Sequence, residues 1–191
     1  MYQRAPTVEF TVHEYLAFEE ASETKHEYYD GKIYDMAGGS PDHNLISVNI
    51  GAALSEALRK TPCRVFSSDM RVLIEALDLY TYPDVSVVCG KLEYDRRSKT
   101  TITNPLILVE VLSPSTRTYD RGDKVAFYKR IPSLQEILLV EAERPHVQIL
   151  RHSARRWTAR DIIGLDATVA LHAAPCEISL RQIYDKATWL S

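Results

Sequence analysis

Tyr82-Pro83-Asp84-Val85-Ser86-Val87-Val88 and Leu106-Ile107-Leu108-Val109-Glu110-Val111-Leu112-Ser113 each read as a buried strand carrying one carboxylate. An ionised carboxylate on a buried strand is costly unless it is paired or bound to a metal. Two strands that each carry one point to a shared site for a hard cation. Magnesium suits this, because it takes one or two carboxylates and keeps several waters. Lys124 follows on the next expected helix, where Lys124, Phe127, Tyr128 and Ile131 fall on one stripe. A lysine there stands where an inward apolar residue would normally go, and it can hold a phosphate or a water nucleophile. Acids and an ammonium around a divalent cation form a phosphodiester-cutting arrangement. Each residue also has a plainer reading: a turn acid after Pro83, a structural salt bridge at Glu110, and an ion pair of Lys124 with Asp120.

The elements that must position these groups follow from local signals. Thr11-Val12-His13-Glu14 has the spacing of a capping box and predicts a helix to about Ala21. Asp30-Gly31 predicts a hairpin turn between strands at Lys25 to Asp30 and Lys32 to Ala37. Ser40-Pro41 supplies a cap and a first-turn proline for a helix to about Lys60, with Leu45, Val48, Ala52 and Leu58 inward. Strands are expected at Arg64 to Ser67 and Met70 to Glu75, a turn at Leu77 to Leu79, and a polar loop from Lys91 to Asn104. The apolar run Leu106 to Leu112 reads as a central strand buried on both faces. A helix should run from Asp120 to Ile131, stopped by Pro132. A hairpin around Glu143-Arg144-Pro145 should join Gln135 to Ala142 with His146 to Arg151. Short strands are expected at Arg156 to Ile162 and Thr168 to Leu171, with Ser179 capping a last helix. The fold class is α/β, a mixed sheet flanked by helices. If the Asp84 and Glu110 strands are neighbours in suitable register, the two acids meet, since Asp84 shares a face with Ser86 and Glu110 with Leu112.

With 191 residues the chain fits a single domain over 1–191 with a real core. The three cysteines, Cys63, Cys89 and Cys176, show no metal-ligand spacing and read as reduced, which with the lack of an apolar N-terminal segment predicts a cytoplasmic protein away from membranes. The net charge of -3 argues against indiscriminate nucleic-acid binding, yet residues 144–160 hold five arginines and no acid. Such a strip can track phosphates or can be a solvated hairpin face.

Pro83-Asp84, then Glu110-Val111-Leu112-Ser113-Pro114-Ser115-Thr116, then Asp120-Arg121-Gly122-Asp123-Lys124 with Tyr128, resemble the Uma-two family of restriction-endonuclease-like proteins, itself similar to the PD-(D/E)XK nuclease superfamily. The resemblance extends to His26-Glu27-Tyr28-Tyr29-Asp30-Gly31 and Ser40-Pro41-Asp42-His43. It implies a restriction-endonuclease-like mixed central sheet flanked by helices. It puts Asp84 at the motif aspartate and Glu110 at the second acid. The superfamily's lysine normally lies two residues after that acid, where this chain has Leu112; Lys124 matches the place from which the Uma-two lysine comes. Glu27 resembles the early acid of such sites, and His43 matches the family's histidine near the start of the second helix. Taken from the residues alone, Glu27 is an ordinary exposed strand acid, His43 a surface or hydrogen-bonding histidine, and Asp69 a strand-entry residue.

The resulting expectation is a magnesium-dependent DNA endonuclease in which manganese can substitute. Asp84, Glu110 and the Val111 carbonyl bind the metal, Lys124 acts on the phosphate or nucleophile, and Glu27 and His43 support them. A homodimer fits a need to cut two strands. The first rival is a catalytically inactive nuclease fold that binds DNA or protein, favoured by Leu112. The second is an interaction domain whose inward polar residues form only a salt-bridge network. A hydrolase of small phosphates is disfavoured, because Gly38-Gly39 lacks the lysine of a phosphate-cradling loop.

Overall fold

The computed structural model describes residues 9–36, 38–113 and 117–190. The N-terminal residues 1–8, the strand end expected at Ala37, and residues 114–116 of the family motif lie outside the described residues.

Helix α1 (Val12–Ala21) begins on the expected capping box: the Thr11 hydroxyl accepts from the Glu14 N–H at 3.2 Å, and the Glu14 carboxylate accepts from the Thr11 N–H at 2.7 Å. Strands β1 (His26–Tyr29) and β2 (Lys32–Asp35) form the hairpin around Asp30 and Gly31, whose φ values of 50° and 74° are the left-handed pair that a two-residue turn requires. Helix α2 (Pro41–Ala57) starts at Ser40, whose hydroxyl accepts from the His43 N–H at 3.2 Å. Its inward face is Ile46, Ile50, Ala53 and Leu54, whereas Val48 is 68 % exposed. The expected stripe of Leu45, Val48 and Ala52 is therefore displaced by about one residue, because the isoleucines bring more apolar area to the sheet than valine and alanine do.

Next come β3 (Cys63–Ser67), β4 (Arg71–Ile74), β5 (Leu79–Thr81) and β6 (Val85–Cys89). The polar stretch expected as a loop contains a hairpin of β7 (Tyr94–Asp95) and β8 (Ser98–Ile102). The buried Arg71 side chain explains it: its guanidinium donates to Thr101 at 2.7 Å and to Ser98 at 3.1 Å, so the polar residues of β8 satisfy a buried cation instead of facing water. β9 (Ile107–Leu112) is buried at every position. After it, one helix turn sequence runs as α3 (Arg117–Tyr119), a π-helical turn (Asp120–Lys124) and α4 (Val125–Tyr128). The remaining strands are β10 (Glu136–Glu141), β11 (His146–Ser153), β12 (Arg156–Ile163), β13 (Thr168–Leu171) and β14 (Cys176–Ser179), followed by α5 (Leu180–Ile183) on its Ser179 capping box.

The strands form two six-stranded mixed sheets, ordered β2-β1-β5-β4-β8-β7 and β12-β11-β10-β9-β6-β3, with a small β13-β14 pair. The expected mixed sheet flanked by helices is the second of these, and β9 lies inside it between parallel β10 and antiparallel β6. One face of β9, through Ile107, Val109 and Val111, packs with α2. The other, through Leu108 and Leu112, packs with Val125 and Tyr128 and with Val72, Ile74 and Leu79 of the first sheet. Glu110 points into this second, between-sheet layer, by strand alternation.

Cys63 and Cys89 stand opposite each other in the β3–β6 register and form a disulfide; Cys176 is free. The expectation of three unlinked, reduced cysteines is thus overturned, and with it the cysteine argument for a cytoplasmic location. Among the described residues no helix is long and apolar enough to cross a membrane.

Candidate active site

β6 and β9 pair through Val85↔Val109, Ser86↔Leu108 and Val87↔Ile107. Continued by one residue, this register sets Asp84 against Glu110. The Asp84 carboxylate accepts from the Val111 N–H at 2.7 Å through one oxygen and bonds His43 Nε2 at 2.9 Å through the other. His43 is placed by the Ser40 cap in the first turn of α2, and its ring lies so close to Gly39 that a β-carbon there would come within 2.5 Å of it. The hydrogen bond to Asp84 raises the His43 pKa against the effect of burial, with the Val111 backbone and the Asp120 charge acting the same way.

Glu110 is 4 % exposed and both of its oxygens are engaged. Lys124 Nζ donates to one at 3.0 Å and the Tyr128 hydroxyl donates to the other. The same ammonium lies 3.7 Å from Glu27 and 3.9 Å from Asp120. Glu27, on β1, also accepts from the Thr81 hydroxyl of β5. One buried ammonium therefore stands among three carboxylates from three parts of the fold. Burial pushes the Glu110 carboxyl up to about 8; Lys124 and Tyr128 oppose this, and the charges of Asp84 and Asp120 add to it. Burial disfavours the Lys124 ammonium, but Glu110, the neighbouring Tyr128 oxygen, Glu27 and Asp120 outweigh it and hold its pKa well above the ordinary lysine value.

Glu27, His43, Asp84, Glu110, Val111 and Lys124 all line one cleft of about 450 Å³, which also reaches Asp120 and Tyr119. Asp69 lies elsewhere, 85 % exposed and paired with Lys25 at 3.0 Å. Tyr128 and Asp120 did not stand out as site residues in the sequence, although both lie four positions from Lys124 and so on its face of the helix. The π-helical turn between them widens the helix at the point where it presents Lys124; such turns recur at functional sites.

Asp84 and Glu110 are hard oxygen donors that line one cleft, a donor type that suits a hard divalent cation. Among the described residues no group of three or more acids, histidines or cysteines is gathered tightly enough to hold a metal by itself, so water would complete the coordination, as is usual for magnesium.

The helix carrying Lys124 is fastened by Glu141 at the end of β10. That side chain is 1 % exposed and meets Arg121 at 2.7 Å, Arg117 at 2.8 Å and Arg144 at 3.5 Å. Burial alone would raise its pKa; the three arginines together lower it below 4.5. A depressed carboxyl pKa stabilises the fold above the unfolded value, and the contribution is lost as pH falls through the folded value. Glu141→Gln should therefore cost about 2 kcal/mol at pH 7, or ~4–8 °C in Tm for a chain of this size. The difference from wild type should shrink as pH falls below 4.5. A thermal melt series across pH checks this, and a gap that stays constant into acid would disprove the linkage.

Comparison with known proteins adds the following. Residues 12–182 match a family model, Uma2, described as "Putative restriction endonuclease". The chain is 43% identical over 145 residues to "Uncharacterized protein slr1290" of Synechocystis sp., covering 76% of this chain and 75% of that one. It is 34% identical over 166 residues to "Uncharacterized protein sll1609" of the same organism, covering 86% of this chain and 94% of the relative. Among solved structures it resembles "a putative nuclease belonging to DUF820" from Anabaena variabilis, with a TM-score of 0.75 at 19% identity over 95% of this chain and 99% of that one. At that identity the likeness concerns the fold.

Proposed function

The chain belongs to the Uma2 family, and on that premise we propose that it is a magnesium-dependent DNA endonuclease. The single observation that carries the reading is Lys124 held between Glu110, Glu27 and Asp120 in the cleft that also holds Asp84. Asp84, Glu110 and the Val111 carbonyl hold the metal. When bound, the metal supplies charge that neutralises the scissile phosphate and makes a water more nucleophilic. Lys124 donates to a non-bridging phosphate oxygen or orients the water, in a cleft whose low dielectric strengthens the contact. His43 fixes the Asp84 carboxylate, and Glu27 holds the outer side of the Lys124 ammonium. A homodimer would supply the two sites needed to cut both strands.

The arginine strip is smaller than its composition suggests. Arg151 is paired with Glu136 at 2.7 Å and Arg144 with Glu141 at 3.5 Å, while Arg155, Arg156 and Arg160 are exposed. We assign these last three to phosphate contact outside the cleft.

The experiment is incubation of DNA with Mg2+, with Mn2+ and with EDTA. Cleavage is expected with either metal and none with EDTA. In its binding arm, Arg155→Ala with Arg156→Ala should weaken affinity equally on unrelated sequences and lower the salt slope by roughly 1–2; an unchanged slope would mark the strip as solvated surface. A second reading, a nuclease fold that binds DNA without cutting it, is favoured by Leu112, which fills the usual lysine place and is 0 % exposed in the core. Metal binding and DNA binding without cleavage under any metal would select it.

A further inference from the structure

Beside the carboxylate cleft lies a second pocket, of about 470 Å³, and the two have different linings. Its walls include Tyr29, Tyr34, Tyr119, Phe127, Leu79 and Asp123. Glu27 and Tyr119 line both pockets and form the partition between them. The helix explains how they come to adjoin. Tyr119, Asp123 and Phe127 are spaced by four residues along one stripe, and Asp120, Lys124 and Tyr128 are spaced by four along the next. One stripe gives the cleft its charges and the other gives the pocket its rings.

Two of the rings are presented to solvent and two, Tyr29 and Phe127, pack against the core. Tyr34 is 45 % and Tyr119 42 % exposed. Tyr29 and Phe127 stand with ring centroids 4.9 Å apart at the base of the group. A volume in this range suits a small planar ligand. Its charged wall groups, Glu27 and Asp123, are acceptors, and the tyrosine hydroxyls can donate or accept. With no cation among the residues on its wall, this pocket repels a phosphate, which belongs in the neighbouring cleft with Lys124, and an uncharged ring belongs here. An unpaired nucleobase fits: it has a π face for the tyrosines and a polar edge for Asp123 and the tyrosine hydroxyls.

Resting on the nuclease reading above, we propose that this pocket takes the unpaired base of a nucleotide next to the scissile phosphate. A base stacked inside a duplex cannot reach a pocket at this place without leaving the stack. The preferred substrate is therefore single-stranded or locally unpaired DNA.

The test is binding of short oligodeoxycytidylate, oligodeoxythymidylate of equal length, and duplex, in EDTA so that nothing is cut. Both oligonucleotides should bind roughly 5-fold or more tighter than duplex of the same length. Tyr34→Ala, at an exposed position of β2 where the fold should tolerate it, should weaken oligodeoxycytidylate about 10-fold, with Tyr34→Phe largely restoring it. Duplex binding as tight as that of either oligonucleotide, or indifference to Tyr34→Ala, would overturn the proposal. Manganese binding at Asp84 and Glu110 should be unaffected by Tyr34→Ala. Metal-dependent cleavage that ignores Tyr34 would remove the pocket and leave the nuclease reading, while Tyr34-dependent binding of single strands without cleavage would do the reverse.

Discussion

Lys124→Ala should lower DNA cleavage by roughly 10²-fold or more, while the fold and metal binding survive. The ammonium is the cation that the cleft holds in place, 3.0 Å from Glu110. Removing one partner of a buried ion pair normally costs several kcal/mol, because a charge is left uncompensated. Here Glu110 has an escape: its carboxyl is already pushed up to about 8, so it can take up a proton once the ammonium is gone. The Tyr128 hydroxyl bonds it in either state. Lys124→Arg should rescue poorly, since a planar fork does not replace a point charge. The converse test places a lysine at position 112 in the Lys124→Ala background. Leu112 is on the same strand face as Glu110 and is buried against the helix that carries Lys124, so partial recovery of cleavage by Leu112→Lys would show that both positions reach one phosphate. Circular dichroism and manganese titration serve as controls for fold and metal. If Lys124→Ala cuts as fast as wild type on a substrate that wild type demonstrably cleaves, the lysine is structural and the mechanism is wrong.

Asp84→Ala and Glu110→Ala should each reduce manganese binding by more than the roughly 10–100-fold that loss of an outer-shell partner costs. Calorimetric titration measures this, and cleavage should fall below detection in both. The double variant should lose no more than either single one, because the two acids act as a unit. Asp84→Ala also releases the Val111 N–H and His43, so Asp84→Asn, which keeps the side-chain volume and a hydrogen-bonding group, separates lost charge from lost packing. His43→Gln should have a smaller effect on metal affinity, of about 10-fold, since it acts through Asp84. Equal manganese binding by wild type, Asp84→Ala and Glu110→Ala would remove the proposed metal site.

The sequence by itself determined those features whose causes are local. A Thr11–Glu14 capping box, an Asp30-Gly31 turn and a Ser40-Pro41 start are each completed within a few residues of chain, so they could be read without knowing what packs on them. Glu110 stood out because six apolar neighbours surround it, and strand alternation already put it on the face of Leu112. Lys124 stood out for the same reason on a helix. Tertiary structure decided everything that depends on register and on opposite walls. Only the β6–β9 register brings Asp84 against Glu110, and only the first sheet brings Glu27 to Lys124 from almost a hundred residues away. The hairpin in the polar stretch forms because a buried Arg71 needs acceptors, a demand invisible from the stretch itself. α2 turns its isoleucine face inward because the sheet beneath it gains more apolar area from those side chains. Cys63 and Cys89, separated by 26 residues, became partners only when β3 and β6 were aligned. Spacing along a chain carries chemistry only as far as one element reaches; beyond that, the pairing of strands sets which charges share a cleft and which rings adjoin it.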